Sequence, residues 1–387
     1  MRDAAVKFRR DPLPYDPWLV GTCIVIIALG LVMVTSASIT IAEQKHHQPF
    51  YFLGRQLVYL FLGLTAGAVV ANLPLRVWEK LGPALLGISL ILLLVVLTPL
   101  GKGVNGGSRW LDFGIVKVQV SEAVKLFFVI YLAGHLTKHA KAVRASFRGL
   151  LAPMLALSLV AVLLLCEPDY GTTVVISVIA LGMFWLADVK LRVFGILLGL
   201  VTVALSTTVW LEAYRIKRLL GFIDPFKYAN DKGFQLVQSL IALGRGEWTG
   251  VGLGDSVQKL FYLPEAYTDF VFAVFTEELG FLGALSVIVL YAVLAWRTIQ
   301  IGKAAEAVGK PFGAYLAYGI GIWIAFQAYV NIGVNMGVLP TKGLTLPLIS
   351  YGGSSYIITL IAVAILMRVH FETYSAARGG ASGVPVW

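Results

Sequence analysis

Ten apolar stretches, each close to or above the roughly 18 to 20 residues that carry a helix across a bilayer, dominate this chain and leave only one gap long enough for anything else. The windows fall at 18–38, 51–72, 80–99, 119–136, 150–166, 171–187, 191–212, 269–296, 312–336 and 344–368. Their apolar residues run on without the period-two alternation of barrel strands, so helices that satisfy their own backbone polar groups remain. Composition agrees: of 387 residues, 58% are hydrophobic and 13% charged, against about 25% charged in soluble domains. The expected fold is therefore an all-α, polytopic integral membrane protein, a single domain over 1–387.

The net charge of +10 is not a nucleic-acid signature, because the basic residues sit in short connections between apolar runs, where membrane orientation places them. Arg76, Lys80, Lys138, Lys141, Arg144, Arg148, Lys190, Arg192, Arg297, Lys303 and Lys310 fall on one side; the short loops on the other hold far fewer cations. The bias puts the tails, 1–17 and 371–387, in the cytoplasm and the long loop, 213–268, outside. The first run ends in "TSAS", but it is too long for a signal-peptide core and reads as an uncleaved first helix. Cys23 and Cys166 lie in apolar stretches and read as small core residues. The tail "RGGASGVPVW" reads as disordered.

The outer loop is not a soluble domain. "YRIKRLLGFI" and "GFQLVQSLIALGRG" set apolar residues at helical spacing beside Arg215, Lys217, Arg218 and Arg245, as helices lying in the headgroup layer do. The "GRGEWTGVGLGDS" that follows is glycine-punctuated and reads as turns.

Ionisable residues at span boundaries carry the functional information, since each is costly in the membrane unless paired or solvated. In "GGSRWLDFGIVKVQVSEAVKL", Glu122 and Lys125 are spaced to pair on one helix face, and Arg109 beside Trp110 suits either an interfacial anchor or a ligand contact. In "EPDYGTT", Asp169 is placed to cap the next helix. In "EAYTDFVFAVFTEELGFLG", either Pro264 and Glu265 open a helix or Thr268 caps it, and Asp269 stands at the outer boundary both ways. Continued as ideal helix, Glu277 lies ~80° around from Asp269 and Glu278 ~180°. Glu277 could then share a cavity with Asp269, whereas Glu278 must find a partner elsewhere. Finally, "GVLPTKGLTLPLISYGGSS" breaks the entry to the last span with Pro340, Pro347, Gly352 and Gly353, which either lines a cavity for Lys342, Ser350 and Tyr351 to point into or is a kinked segment packed against protein.

No P-loop is present, and the five histidines form no triad or zinc-ligand spacing. An outward site without a nucleotide motif suits a substrate that carries its own activation, such as a sugar on a lipid diphosphate. Cations would hold the diphosphate and Asp269 would take the acceptor hydroxyl's proton. Transporters also use intramembrane carboxylates and broken helices, so that class stays open.

The stretches "SRWLDFG", "SEAVKL", "EPDYGT", "YRIKRLLGF", "QKLFYLPEAYTDFVFAVFTEELG" and "PTKGLTLPLISYGGSS", in this order over nearly the whole chain, resemble the SEDS family of bacterial shape, elongation, division and sporulation proteins. The last of them, with Lys342, resembles the cell-division (FtsW-like) branch rather than the elongation (RodA-like) branch. The resemblance implies a peptidoglycan glycosyltransferase that polymerises lipid II on the outer face of the cytoplasmic membrane during septal wall synthesis. It implies Asp269 as the base or as the organiser of a divalent cation, Mg or Mn, with no nucleotide. It also implies a class B penicillin-binding transpeptidase (FtsI-like) and divisome regulators (FtsQ-, FtsL- and FtsB-like) as partners, alongside membrane lipid. Arg109, Lys125, Arg215, Arg245, Lys259, Lys342 and Ser350 match positions suited to holding lipid diphosphate or sugar, with Glu122, Glu277 and Glu278 as a supporting polar network. Tyr267, Val120, Glu167 and Asp255 depart from the family pattern, and Tyr267 weakens any mechanism that needs a histidine there. A lipid II flippase and a non-catalytic scaffold for the transpeptidase are the other readings. A flippase needs a polar path through the bilayer, and the polar groups here concentrate at the outer boundary.

Overall fold

Apolar helices that cannot hide from lipid must find each other through close contact, and small residues decide where. In a computed structural model, which describes residues 13–104, 107–112, 117–210 and 212–382, ten long apolar helices assemble in this way. They are α1 (Pro17–His46), α2 (Tyr51–Asn72), α3 (Leu75–Val96), α4 (Val120–Lys138), α6 (Leu151–Cys166), α7 (Tyr170–Leu186), α8 (Leu191–Trp210), α11 (Val271–Ala307), α12 (Pro311–Asn335) and α13 (Gly353–Ser382). Among the described residues, nine helices meet the length and apolarity of a membrane span, α6 together with its leading turn, and α7 at 17 residues is the short tenth. Short α5 (Ala140–Ala145) joins α4 to α6, while α9 (Ala213–Ile223) and α10 (Phe234–Gly246) occupy the long loop.

Helix α12 is the axis. It packs against α11, α4, α7 and α13, and its glycines admit the neighbours' side chains. A Cβ at Gly319 would stand 2.6 Å from Val129 Cγ1, and one at Gly321 would stand 2.2 Å from Thr298 Oγ1. Helix α8 is peripheral, with Leu197 its one buried residue. Local signals set several helix starts. Asp16 accepts from Trp18 N and Leu19 N at 3.0 Å, Pro17 and Pro311 occupy first turns, and Asp169 accepts from Thr172 N at 3.2 Å, as expected of a cap.

Some expectations are corrected. Span ten begins at Gly353, not 344, because Pro347 and the positive φ of Leu348 (63°) keep residues 344–352 non-helical. Span eight begins at Val271 and is broken at Gly280 (φ 66°, ψ −166°). A three-stranded antiparallel sheet, β1 (Lys102–Val104), β2 (Gly107–Asp112) and β3 (Lys117–Gln119), fills most of the stretch between the third and fourth apolar windows. Its glycines and short strands mask the alternation that would reveal it. Helix α10 packs along α11 with Leu236, Val237 and Ala242 buried rather than lying free in the headgroups. Helix α9 keeps Leu219, Leu220 and Ile223 exposed, the apolar edge an interfacial helix needs. Cys166 is exposed, unlike Cys23. The last helix continues to Ser382, through much of the tail expected to be disordered; 383–387 and the first twelve residues of the N-terminal tail lie outside the described residues.

Candidate active site

Asp269 stands two residues before α11, in a series of turns. Helix α11 has Phe270 as its N-cap and no side-chain cap, so neither a start at Glu265 nor a Thr268 cap operates. The side chain of Thr268 instead donates to Glu265 Oε2 at 2.9 Å. The turn is held from beneath: Asp269 O accepts from Asn331 Nδ2 at 2.8 Å and Asn335 Nδ2 at 3.0 Å. Its carboxylate faces Gly343, where a Cβ would come within 3.0 Å of Oδ2. Burial pushes its pKa up to about 7; the Glu265 carboxylate adds to the rise and Arg218 opposes it.

Three cations gather beside it. Arg215 and Arg218 are three residues apart on α9, and Arg218 Nη1 donates to Thr341 O at 3.4 Å, the residue before Lys342. Lys342 Nζ lies 4.0 Å from the centroid of the Tyr170 ring, and Arg215 Cζ lies 5.3 Å from the same centroid. Burial, then Arg218 and Arg215, lower the Lys342 pKa to about 8, while Asp169 opposes. Such a lysine gains charge stability when an anion enters. Arg109 borders the group from the β-sheet, donating to Glu167 O (3.1 Å) and Pro168 O (2.6 Å). An aromatic wall adjoins: Tyr351 N donates to Tyr267 O at 3.0 Å, and the rings of Tyr267, Tyr351 and Phe52 pack together.

The structure brings Asp269, Arg215 and Lys342 together and places other sequence-nominated residues elsewhere. Lys125 is fully buried, donating to Glu122 Oε1 (2.9 Å) and Gln327 Oε1 (2.7 Å). Glu277 does not share Asp269's surroundings. It accepts from Arg245 Nη1 (3.0 Å), Val257 N (3.1 Å), Gln258 N (3.3 Å) and the Ser256 hydroxyl. Glu278 pairs with Lys259 (2.9 Å) and accepts from Ser36 Oγ (2.6 Å). Ser350 Oγ accepts from Leu346 N at 2.8 Å, closing a turn. Asn331, Asn335 and Gln327 also hold the site, donating to Asp269 O and Thr345 O, with little in the sequence to mark them. Amides recurring every fourth residue in the otherwise apolar "FQAYVNIGVN" were the available signal.

Among the described residues, no group of three or more His, Cys, Asp or Glu side chains is arranged to hold a metal ion. Asp269 is still compatible with a cation completed by substrate phosphates, which is how Mg²⁺ is commonly held, through one or two carboxylates.

Among the described residues, a carboxylate and clustered cations lie at one end of a bundle of ten long apolar helices, the architecture of a polytopic membrane protein. The chain belongs to the FtsW/RodA/SpoVE family of cell cycle proteins, whose family model matches residues 17–375. It is 53% identical to the probable peptidoglycan glycosyltransferase FtsW of Thioalkalivibrio sulfidiphilus (strain HL-EbGR7) over 92% of this chain and 90% of the relative. It is 51% identical to the protein of that name from Nitrosococcus halophilus (strain Nc4), over 92% of each. Among solved structures, it resembles a chain from work on the structural coordination of polymerization and crosslinking by a peptidoglycan synthase complex. There the TM-score is 0.76 and identity 32%, over 93% of this chain and 98% of that one. Thermus thermophilus RodA matches with TM-score 0.69 at 28% identity, over 94% and 99%.

Proposed function

We propose that this protein is a peptidoglycan glycosyltransferase that polymerises lipid II at the outer membrane face, with Asp269 as the reaction's base. The observation that carries the role of Asp269 is a half-buried carboxylate facing Gly343, in the group that Arg218, Arg215 and Lys342 form at one end of the bundle, where burial raises its pKa. The Asp269 carboxylate takes the proton of the acceptor sugar's hydroxyl as its oxygen attacks the donor's anomeric carbon. The bond from that carbon to the lipid diphosphate breaks, and the diphosphate leaves with the electron pair. Lys342, Arg215 and Arg218 stabilise the charge that develops there. A divalent cation held by Asp269 and substrate phosphates would supply further charge neutralisation. The flippase reading has less support, since Lys125, Glu122, Glu277 and Glu278 are closed on protein partners.

The partner reading is a class B penicillin-binding transpeptidase, supported by the likeness to a chain of a peptidoglycan synthase complex. Divisome regulators, enrichment at the septum and cytoplasmic termini complete the proposal.

The test uses the protein purified with its transpeptidase. Asp269→Asn and Asp269→Ala should lower glycan polymer formation from lipid II by at least about 100-fold, while the complex still assembles. Full polymerisation by either variant would refute the role of Asp269. Repeating the assay with a chelator separates the cation proposal: restored by Mg²⁺ or Mn²⁺, the loss supports it; unchanged activity refutes it.

A further inference from the structure

Helix α12 carries three buried amides, Gln327, Asn331 and Asn335, each no more than 1% exposed. Spaced by four, they lie on one face. Gln327 Nε2 donates to Thr345 O at 2.9 Å, while its Oε1 accepts from Lys125 Nζ (2.7 Å) and Trp323 Nε1 (2.8 Å). Asn335 Nδ2 donates to Asp269 O, and Asn335 Oδ1 accepts from Ala273 N at 3.0 Å. Asn331 stands between them and joins both walls of the site. Its Nδ2 donates to Asp269 O at 2.8 Å and to Leu344 O at 2.6 Å.

One carboxamide therefore ties the turn bearing Asp269 to the segment bearing Lys342 and Gly343. Gly343 borders the same gap, where a Cβ would come to 3.0 Å from Asp269 Oδ2 and push the carboxylate aside. We infer that Asn331 is a positioning residue for glycosyl transfer, setting the separation between the Asp269 carboxylate and the Lys342–Gly343 segment. The inference rests on the reading of Asp269 as the base. The residue type suits the task, because a neutral carboxamide supplies two N–H donors to two carbonyls, whereas an ionised aspartate supplies none and leucine fills the volume without donating. Proton transfer and attack depend on the spacing of groups more steeply than substrate capture does, so the signature is a kinetic split.

Asn331→Leu, Gly343→Ala and Asp269→Asn are purified with the transpeptidase and assayed over a series of lipid II concentrations, per folded molecule. Asn331→Leu and Gly343→Ala should each lower kcat by about tenfold or more and leave KM within about twofold. Because both act on one gap, the double variant should lose no more than the worse single. If Asn331→Leu does not accumulate, Asn331→Ser, which keeps a donor, should show the same split at smaller amplitude. An unchanged kcat, a rise in KM alone, or multiplying losses in the double variant would overturn the inference. Inactive Asp269→Asn beside fully active Asn331→Leu removes the inference alone; active Asp269→Asn removes the base reading and the inference with it.

Discussion

Glu167 is 1% exposed, and neither of its carboxyl oxygens meets a hydrogen-bond partner among the described residues. Burial pushes its pKa to about 8; Asp169 adds to the rise and Arg109 opposes it. The neutral acid is therefore the form present at pH 7, which reduces the cost of burying it unpaired. Against an ordinary value of 4.5, the folded chain binds more protons than the unfolded one across that window. Its contribution to stability is full below pH 4.5 and is lost as pH rises through about 8. Glu167→Gln should flatten that decline, raising Tm at high pH by roughly 2–4 °C relative to the parent. Equal slopes of Tm against pH in the two proteins would refute this. At this scale the sequence was partly legible. Asp169 could be assigned as a cap from its position, because capping is local. Asn331 could not be assigned, because its meaning depends on two carbonyls 62 and 13 residues away in the chain.

The most demanding element is α11 at Gly280. The helix breaks there, and the α10 exit lays its backbone into the gap. Phe281 N donates to Glu247 O (2.9 Å) and Leu282 N to Trp248 O (3.2 Å), while Val251 N donates to Glu277 O (3.0 Å) and Gly252 N to Glu278 O (3.1 Å). Backbone groups freed within a membrane helix must be satisfied by other protein groups, and here a loop does it. A Cβ at Gly280 would sit 2.4 Å from Gly250 N, at a φ that L side chains rarely adopt. Gly280→Ala should therefore abolish recovery of monodisperse protein, whereas Gly87→Ala, with open space around its Cβ, should purify normally. Normal size-exclusion yield of Gly280→Ala would contradict the account of the break. Glu277 and Glu278 serve the same junction: Arg245, Ser256 and Lys259 fasten the loop to them. The sequence showed that Glu278 needed a partner on another element and that the 246–254 loop was glycine-rich, but not that the two features met.

Among the described residues, charged groups outside the interior networks gather at two ends of the bundle. Asp269, Arg215, Lys342 and Arg109 share one. The other is tied by the Arg297–Asp16 pair, by Lys310 and Arg368 on Glu372 (3.1 and 3.0 Å), and by Arg144 on Asp188 (3.2 Å). Glu372 also accepts from Leu75 N at 2.8 Å, linking the last helix to the third. Under the proposed orientation, a membrane-impermeant maleimide applied to intact spheroplasts should label Asp231→Cys, between α9 and α10, and not Lys141→Cys, between α4 and α6, with Cys166 and Cys23 replaced beforehand. The reverse pattern would invert the topology and place Asp269 on the wrong side for lipid II at the outer face.

The sequence by itself determined the number and sequential order of the membrane helices, the long loop with its two amphipathic helices, and the boundary position of Asp269. These follow from hydropathy and local periodicity, which act over one helix length. The Glu122–Lys125 pair was already legible as an i,i+3 spacing on one helix. The closing of Arg245 and Lys259 onto glutamates, the break at Gly280 and the amide ladder beneath Asp269 were decided only in the tertiary structure. Each depends on which helix faces which, and in a bilayer that choice is made by close packing and by the need to satisfy buried polar groups across helices, neither of which is readable from one segment alone.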